Sequence, residues 1–468
     1  MKGLNLSHVH FDDNSNVIDL GIPLFNPKSS TVKTGEGADK LIGTDYAHSD
    51  FGVEALVGAA GQNINSVIAS TEFSFSFNVA AKGINNNGII RTEEGPDTVK
   101  GTATSNISAV AQSVSEAIAV AETADTGVIT NAFASIKVKS TADGIDNSGG
   151  EIYNGRGQDG ISGGTEGSVA AVATATADAS AIVEAIAKAP VSDGVTALAG
   201  AFAQSLAEGT IIARGINNKN GIMTTATGRD TITATATSSA ATLSQSAASA
   251  LSTATPGNQA AAVSVADAFA LVEDKAIAID NTNGVIRTGN GKDSLTGEAK
   301  GTNSYGISGG DIYMGDKQDI LIGKASGTNS YGIFESYIDM GNAPDTLIGE
   351  ASGKNSHGIF GSEIHMGYGD DRIEASSFGG DVNIFMGRGN DFVEGFGDAR
   401  IRGGAGYDRL SLGSYKIDQF DNISFGSGNN QVIFELDGMT MNTKNFERFF
   451  FGNENHALTY YELHDFLG

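Results

Sequence analysis

The sequence contains no cysteine and no tryptophan, and only 6 prolines among 468 residues. Without cysteine, disulfides cannot be the source of stability. No stretch approaches the roughly 18 consecutive apolar residues of a membrane-spanning helix, so membrane insertion is not expected. Basic residues are scarce as well: Lys and Arg total 29 against 55 Asp and Glu, a formal charge of −26. Such a chain repels a phosphate backbone, which argues against a nucleic-acid partner. The carboxylate excess is most easily tolerated when divalent cations neutralise part of it, and calcium is the first candidate. Residues 1–16 carry one lysine and no apolar run of the kind a signal peptide needs, so export through an N-terminal leader is not expected.

Catalytic arrangements are missing too. The seven histidines are dispersed, with only His8 and His10 close together, and two histidines by themselves do not make a zinc site. There is no Gly-x-Ser-x-Gly elbow and no phosphate-binding Walker loop. The expectation is a protein that is not an enzyme.

What the sequence has is glycine, 63 residues of it, and a repeat. Gly301-Thr302-Asn303-Ser304-Tyr305-Gly306-Ile307 returns 26 residues later as Gly327-Thr328-Asn329-Ser330-Tyr331-Gly332-Ile333, and again as Gly353-Lys354-Asn355-Ser356-His357-Gly358-Ile359. A second landmark, Gly-x-x-x-Asp-x-apolar, falls within each step at Asp319, Asp345 and Asp371. It also appears around Asp39, Asp97, Asp159, Asp230 and Asp293, without the leading glycine at Asp97 and Asp230, with steps of 58, 62, 71 and 63 residues, and around Asp391 and Asp408, with steps of 20 and 17. A short fixed period signals a solenoid. Between the glycine-rich turns lie short alternating runs such as Asp311-Ile312-Tyr313-Met314, which read as strands whose apolar face is covered only when coils stack.

The fold expected is therefore an all-β, right-handed parallel β-solenoid whose coils taper. Residues 1–30 read as an N-terminal cap, 31–292 as wide coils, 293–376 as 26-residue coils, 377–412 as the shortest coils and 413–468 as a C-terminal cap. The wide coils carry alanine- and serine-rich extensions of ambiguous type. Val110, Val114, Ile118 and Ala121 have helix spacing, whereas Phe73, Phe75, Phe77, Val79 and Ala81 alternate as a strand does. Strands are favoured. Asn86, Asn147, Asn218 and Asn281 fall in register after Gly-Ile or Ala-Ile pairs, suited either to a stacked amide ladder or simply to turns.

Gly403-Gly404-Ala405-Gly406-Tyr407-Asp408-Arg409-Leu410 matches the nonapeptide GGxGxDxUx, with close variants at Gly387-Arg388-Gly389-Asn390-Asp391, Gly289-Asn290-Gly291-Lys292-Asp293, Gly155-Arg156-Gly157-Gln158-Asp159 and Gly35-Glu36-Gly37-Ala38-Asp39. In these segments the chain resembles the repeats-in-toxin (RTX) family, whose parallel β-roll binds calcium between successive turns. The resemblance implies calcium held by Asp371, Asp391, Asp408, Asp293, Asp159 and Asp39, with Gly387, Gly389, Gly404 and Gly406 turning the backbone so that its carbonyls add oxygens. Calcium takes six to eight such ligands, so stacked loops would share each ion. The chain departs from the family in placing one motif per long coil and in putting Glu93, Ala226, Lys317 and Ala343 at glycine positions. In the bland alternative each aspartate caps its own turn.

The C-terminal Asn445-Phe446-Glu447-Arg448-Phe449-Phe450-Phe451-Gly452 and Tyr460-Tyr461-Glu462-Leu463 resemble the ends of RTX proteins exported by type I secretion, or else form an aromatic cap. Together these features imply a secreted bacterial protein of the cell surface or matrix, structural, calcium-binding and self-assembling into filaments or a surface layer. The alternatives are an adhesin or a carbohydrate- or ice-binding module, with cell-surface polysaccharide as partner, and more remotely a polysaccharide lyase or epimerase.

Overall fold

The structure, a computed structural model, describes residues 3–8, 17–62, 66–121, 126–183, 196–254, 259–426, 430–452 and 457–467. They form an all-β solenoid in which each coil pairs in parallel with the next, strand upon equivalent strand, in two facing sheets. The 26-residue step is the register of the narrow coils: Tyr305 lies opposite Tyr331, Ile307 opposite Ile333 and Leu321 opposite Leu347.

Four positions of the repeated heptapeptide have a use in that stack. Asn329 Nδ2 donates to Asn303 Oδ1 at 2.7 Å, and Asn355 Nδ2 to Asn329 Oδ1 at 3.0 Å. The rings of Tyr305 and Tyr331 stack with centroids 5.3 Å apart, while Ile307, Ile333 and Ile359 are fully buried. The glycine before each isoleucine marks a place where the two sheets touch. A Cβ on Gly332 would lie 2.5 Å from the carbonyl oxygen of Gly358 and 2.7 Å from the Glu350 nitrogen, so no side chain fits there.

Upstream of Asp293 the coils widen through eight long strands: β1 Lys40–Gln62, β2 Ser66–Asn86, β3 Thr98–Ala121, β4 Thr126–Asp146, β5 Gly160–Val183, β6 Thr196–Asn217, β7 Thr231–Ala254 and β8 Gln259–Asp280. The odd-numbered strands stack in one sheet and the even-numbered in the other. Beyond the glycine contact (Gly101 against Gly144 in the second coil) they continue as a two-layer slab with a core of its own. That core is made of small side chains, such as Ala109, Ala111, Ala117, Ala132 and Ala134, which let the sheets approach closely.

The helix-spaced set lies on strand β3. Val110 and Ile118 are on the outer face and exposed, whereas Ala109, Ala111, Ser113, Ser115 and Ala117 point inward and are buried. A spacing of four fits one face of a strand as well as a helix, so the intervening small residues decide.

The chain ends close the stack. Asn422–Phe425, Val432–Leu436 and Met439–Lys444 form an antiparallel meander on one sheet. Arg448–Phe450 adds to the other sheet and pairs antiparallel with Ala457–Thr459, which leads into helix α1, Tyr460–Leu467. Phe446, Phe449 and Phe451 are buried over the last coil. At the other end Leu6 and Leu24 are buried and Leu20 is exposed, while Val9 and Phe11 lie outside the described residues. Among the described residues no helix is long and apolar enough to cross a membrane.

The aliphatic residue two places after each landmark aspartate forms one continuous column. It runs from Leu41 through Val99, Ile161, Ile232, Leu295, Leu321, Leu347, Ile373 and Val393 to Leu410, then onto Phe449. All are at most 1% exposed, so a shortened side chain leaves a cavity. Leu347→Ala is expected to cost about 3 kcal/mol in thermal or denaturant unfolding. An unchanged midpoint would contradict the burial.

Candidate metal centre

The landmark aspartates form a second column, ten rungs long. Asp39, Asp97, Asp159, Asp230, Asp293, Asp319, Asp345, Asp371, Asp391 and Asp408 are each at most 2% exposed. The backbone N–H of every rung donates to Oδ1 of the aspartate in the next coil, over 2.7–3.0 Å, from Asp39 to Asp97 through to Asp391 to Asp408. Glu447 of the C-terminal cap closes the series by accepting from the Asp408 N–H through Oε2 at 2.7 Å.

Strand pairing alone explains this alignment: the rung sits two residues before the aliphatic column, so stacking one stacks the other. The ladder also shows why the steps of 58, 62, 71, 63, 26, 20 and 17 residues are all tolerated. Length varies in the coil beyond the turn, never within it.

The second carboxylate oxygen has no such partner. Oδ2 of Asp97, Asp159, Asp230, Asp293, Asp319, Asp345, Asp371, Asp391 and Asp408 is buried without a hydrogen bond. An ionised oxygen in that position is costly, and the groups respond accordingly. Burial pushes the carboxyls of Asp319 and Asp345 up to about 8, those of Asp159, Asp371 and Asp408 to about 7, and those of Asp293 and Asp391 to about 6. Asp97 and Asp230 move in the same direction for the same reason. Neighbouring rungs raise most of these further by like-charge repulsion, against which the backbone N–H of the adjoining coil works.

The predicted glycines fall in two columns beside the aspartates. Gly387 and Gly404 have φ of +104° and +113°, and a Cβ on either would lie 2.0–2.1 Å from the carbonyl oxygen of the glycine one coil earlier. Gly389 and Gly406 occupy the next column. At two of the four positions where the motif departs from glycine the backbone keeps the left-handed turn, Lys317 and Ala343 sitting at φ of 87° and 99°, whereas Glu93 and Ala226 do not adopt positive φ. Ala343→Gly is therefore expected to stabilise the protein by about 1 kcal/mol, the cost of holding a side chain in that conformation. A lowered unfolding midpoint would show the loop to be unstrained.

One column escaped the sequence reading. Five residues before each of the first nine aspartates stand Thr34, Thr92, Asn154, Thr225 and Thr288 in the wide coils, then Met314, Met340, Met366 and Met386 in the narrow ones. All are buried. Threonine hydroxyls beside Asp97, Asp230 and Asp293 hold those carboxyls down, which methionine cannot do. The amide of Asn154 and the hydroxyl of Thr34 are themselves buried without partners. Aligning the chain on its aspartates would have exposed this switch.

These donors suit a hard cation. The carboxylate oxygens are dehydrated and unpaired, and the glycine loops that precede each of them in sequence carry carbonyls with spare acceptor capacity. Gly341 O and Gly367 O each accept one backbone N–H from the following coil, leaving a second lone pair. Among the described residues no three His, Cys, Asp or Glu side chains converge on a point, so carbonyls would supply the other ligands.

A different charged cluster lies between the wide coils. Arg214 donates to both oxygens of buried Asp143, at 2.6 and 3.2 Å, and Lys82 pairs with Asp146, which also accepts from Asn217 at 3.0 Å. Its members use their hydrogen bonds on one another and line none of the larger surface recesses. No protein-family model matches the chain, and a comparison with curated proteins finds no similar sequence.

Proposed function

We propose that the chain is a calcium-binding structural protein of the bacterial cell surface or extracellular matrix, exported by a type I-like route and assembling with copies of itself. The observation that carries this reading is the column of buried carboxylate oxygens, nine of them unpaired, running along the solenoid. Calcium would be held by Asp371, Asp391 and Asp408 with the carbonyls of the glycine loops around Gly387, Gly389, Gly404 and Gly406, and in the same way around Asp39, Asp159 and Asp293. Bound there, it supplies positive charge that keeps the stacked carboxylates ionised without repulsion.

Two further features support a structural role. Solenoid coils and their caps account for the described residues, and the slab offers broad outer faces bearing Ile68, Ile129, Leu198 and Phe202 to solvent. The test is a calcium count by metal analysis after exhaustive dialysis, paired with electron microscopy at millimolar calcium. Several ions per chain and ordered assemblies are expected. A metal-free, monodisperse monomer would overturn the reading in favour of a monomeric binding module.

A further inference from the structure

The slab ends abruptly. Strands β7 and β8 are paired along their whole length with β5 and β6, but the next coil is narrow. It covers β7 only over residues 231–237 and β8 only over residues 275–280. Residues 238–254 of β7 and 259–274 of β8 therefore have no strand on their free side among the described residues. Long open edges are normally blunted by charge, proline or a cover. This one is not: residues 238–254 contain no charged residue and residues 259–274 contain three acids, Asp267, Glu273 and Asp274, with Asp274 turned inward to accept from Ser238 and Thr302.

Side chains tell the same story. The inward positions of β6, such as Ala201, Ala203 and Ala207, are buried, whereas the matching Ser264, Ala266 and Ala270 of β8 are exposed because no further coil covers this edge. Phe269 and Leu271 are 53% and 58% exposed. The opposite edge, on β1 and β2, is built differently. Phe51, Phe75 and Phe77 fill the space between its sheets, with Phe51 and Phe75 stacked at 4.2 Å, and Asp45, His48, Asp50, Glu54 and Glu72 charge or polarise it.

We infer that the free edge of β7 and β8 is a docking surface for the same edge of a second copy, joined antiparallel about a twofold axis normal to the sheets. This rests on the self-assembly proposed above and names its contact. Shape selects the antiparallel mode. A parallel, head-to-tail addition would drive the second copy's first coil into the narrow coils that rise beside the slab. The twofold instead places each slab tip against the partner's inner corner, a recess of about 650 Å³ lined by Thr235, Thr237, Lys300, Lys324, Glu350 and neighbouring small residues. At about 3.3 Å per residue and about 10 Å between sheets, the slab end measures roughly 50 Å by 15–20 Å, so a dimer would bury about 1,500–2,000 Å², within the range of stable interfaces.

Abutting tip and corner also sets the register, with residue 266 of one β8 beside residue 266 of the other. The wild-type chain has no cysteine, so single-cysteine variants report on this directly. Sedimentation of the full chain at micromolar concentration should give a dimer or an assembly of dimers. Oxidation of Ala262→Cys, Ser264→Cys, Ala266→Cys, Ala268→Cys and Ala270→Cys, all at exposed positions, should give crosslinked dimer with a maximum at 266 and a fall of at least about tenfold towards 262 and 270. Assembly without any such crosslink would overturn this contact while leaving self-assembly standing. A monomer at every concentration, with or without calcium, would overturn both.

Discussion

Calcium-free protein is expected to lose thermal stability steadily as the pH rises from 5 to 8, and millimolar calcium is expected to abolish that loss. The rung carboxyls carry the effect. In the unfolded chain an aspartate titrates near pH 3.9, whereas in the fold burial raises seven rungs to between about 6 and about 8. Between those limits the folded state binds more protons than the unfolded one, so stability falls with increasing pH. The contribution is full below about pH 4 and disappears as pH passes through 6 to 8.

Calcium bound as proposed would take the ionised form and only in the fold, so it would act most where the protons have left. An ion at a hundred times its dissociation constant adds about 2.7 kcal/mol, and several ions would raise the melting temperature at pH 8 by about 10 °C or more. Asp408→Ala should blunt the response, because it removes the last rung, where Asp391 donates and Glu447 closes the ladder. The measurement is scanning calorimetry in metal-stripped buffers at pH 5 and pH 8, with and without calcium. Equal melting at pH 8 in both would exclude calcium from the column.

The period and the paired columns were legible in the sequence because they depend on single residue types. Asp319, Asp345 and Asp371 recur at a constant step, and the apolar residue two places on recurs with them. Once strands pair in parallel, equal spacing from the turn becomes equal position in the stack, and Leu321, Leu347, Ile373 and Val393 align as expected. The strand state of the extensions was half legible, since Val110, Val114 and Ile118 suit helix and strand alike. Other features depend on neighbours no local pattern reveals. That β8 lies uncovered follows from the length of the coil after it, and its own alternation gives no sign. The backbone of Lys317 and Ala343 is held at positive φ by its hydrogen bonds to the coils on either side, between Gly291 and Gly369, so the loop outlasts the loss of its motif residue.

The asparagine ladder shows the same dependence on stacking and yields a sharp test. Asn86 Nδ2 donates to Asn147 Oδ1 at 2.6 Å, Asn147 to Asn218 at 2.7 Å and Asn218 to Asn281 at 2.7 Å, all fully buried. Asn26 of the N-terminal segment extends it by donating to Asn86 at 2.7 Å, a rung hidden in sequence because Leu24-Phe25-Asn26 lacks the glycine-isoleucine signature. Asn147 stands in the middle, between glycines: a Cβ on Gly150 would lie 2.9 Å from its Oδ1 and one on Gly221 3.0 Å from its Nδ2. Asn147→Leu would strand an Asn86 donor and an Asn218 acceptor and force a branched side chain into that slot. Two unmade buried hydrogen bonds cost about 1–3 kcal/mol each and overpacking a similar amount, so a loss of about 4 kcal/mol or more is expected. Asn355→Leu, at the exposed end of the narrow-coil ladder, should cost under about 0.5 kcal/mol. Because a solenoid's stability passes between neighbouring coils, hydrogen exchange in Asn147→Leu should quicken in the two coils flanking residue 147 and leave the coils beyond Asp319 protected. Equal unfolding midpoints for the two variants would show that the buried ladder contributes no more than the exposed one.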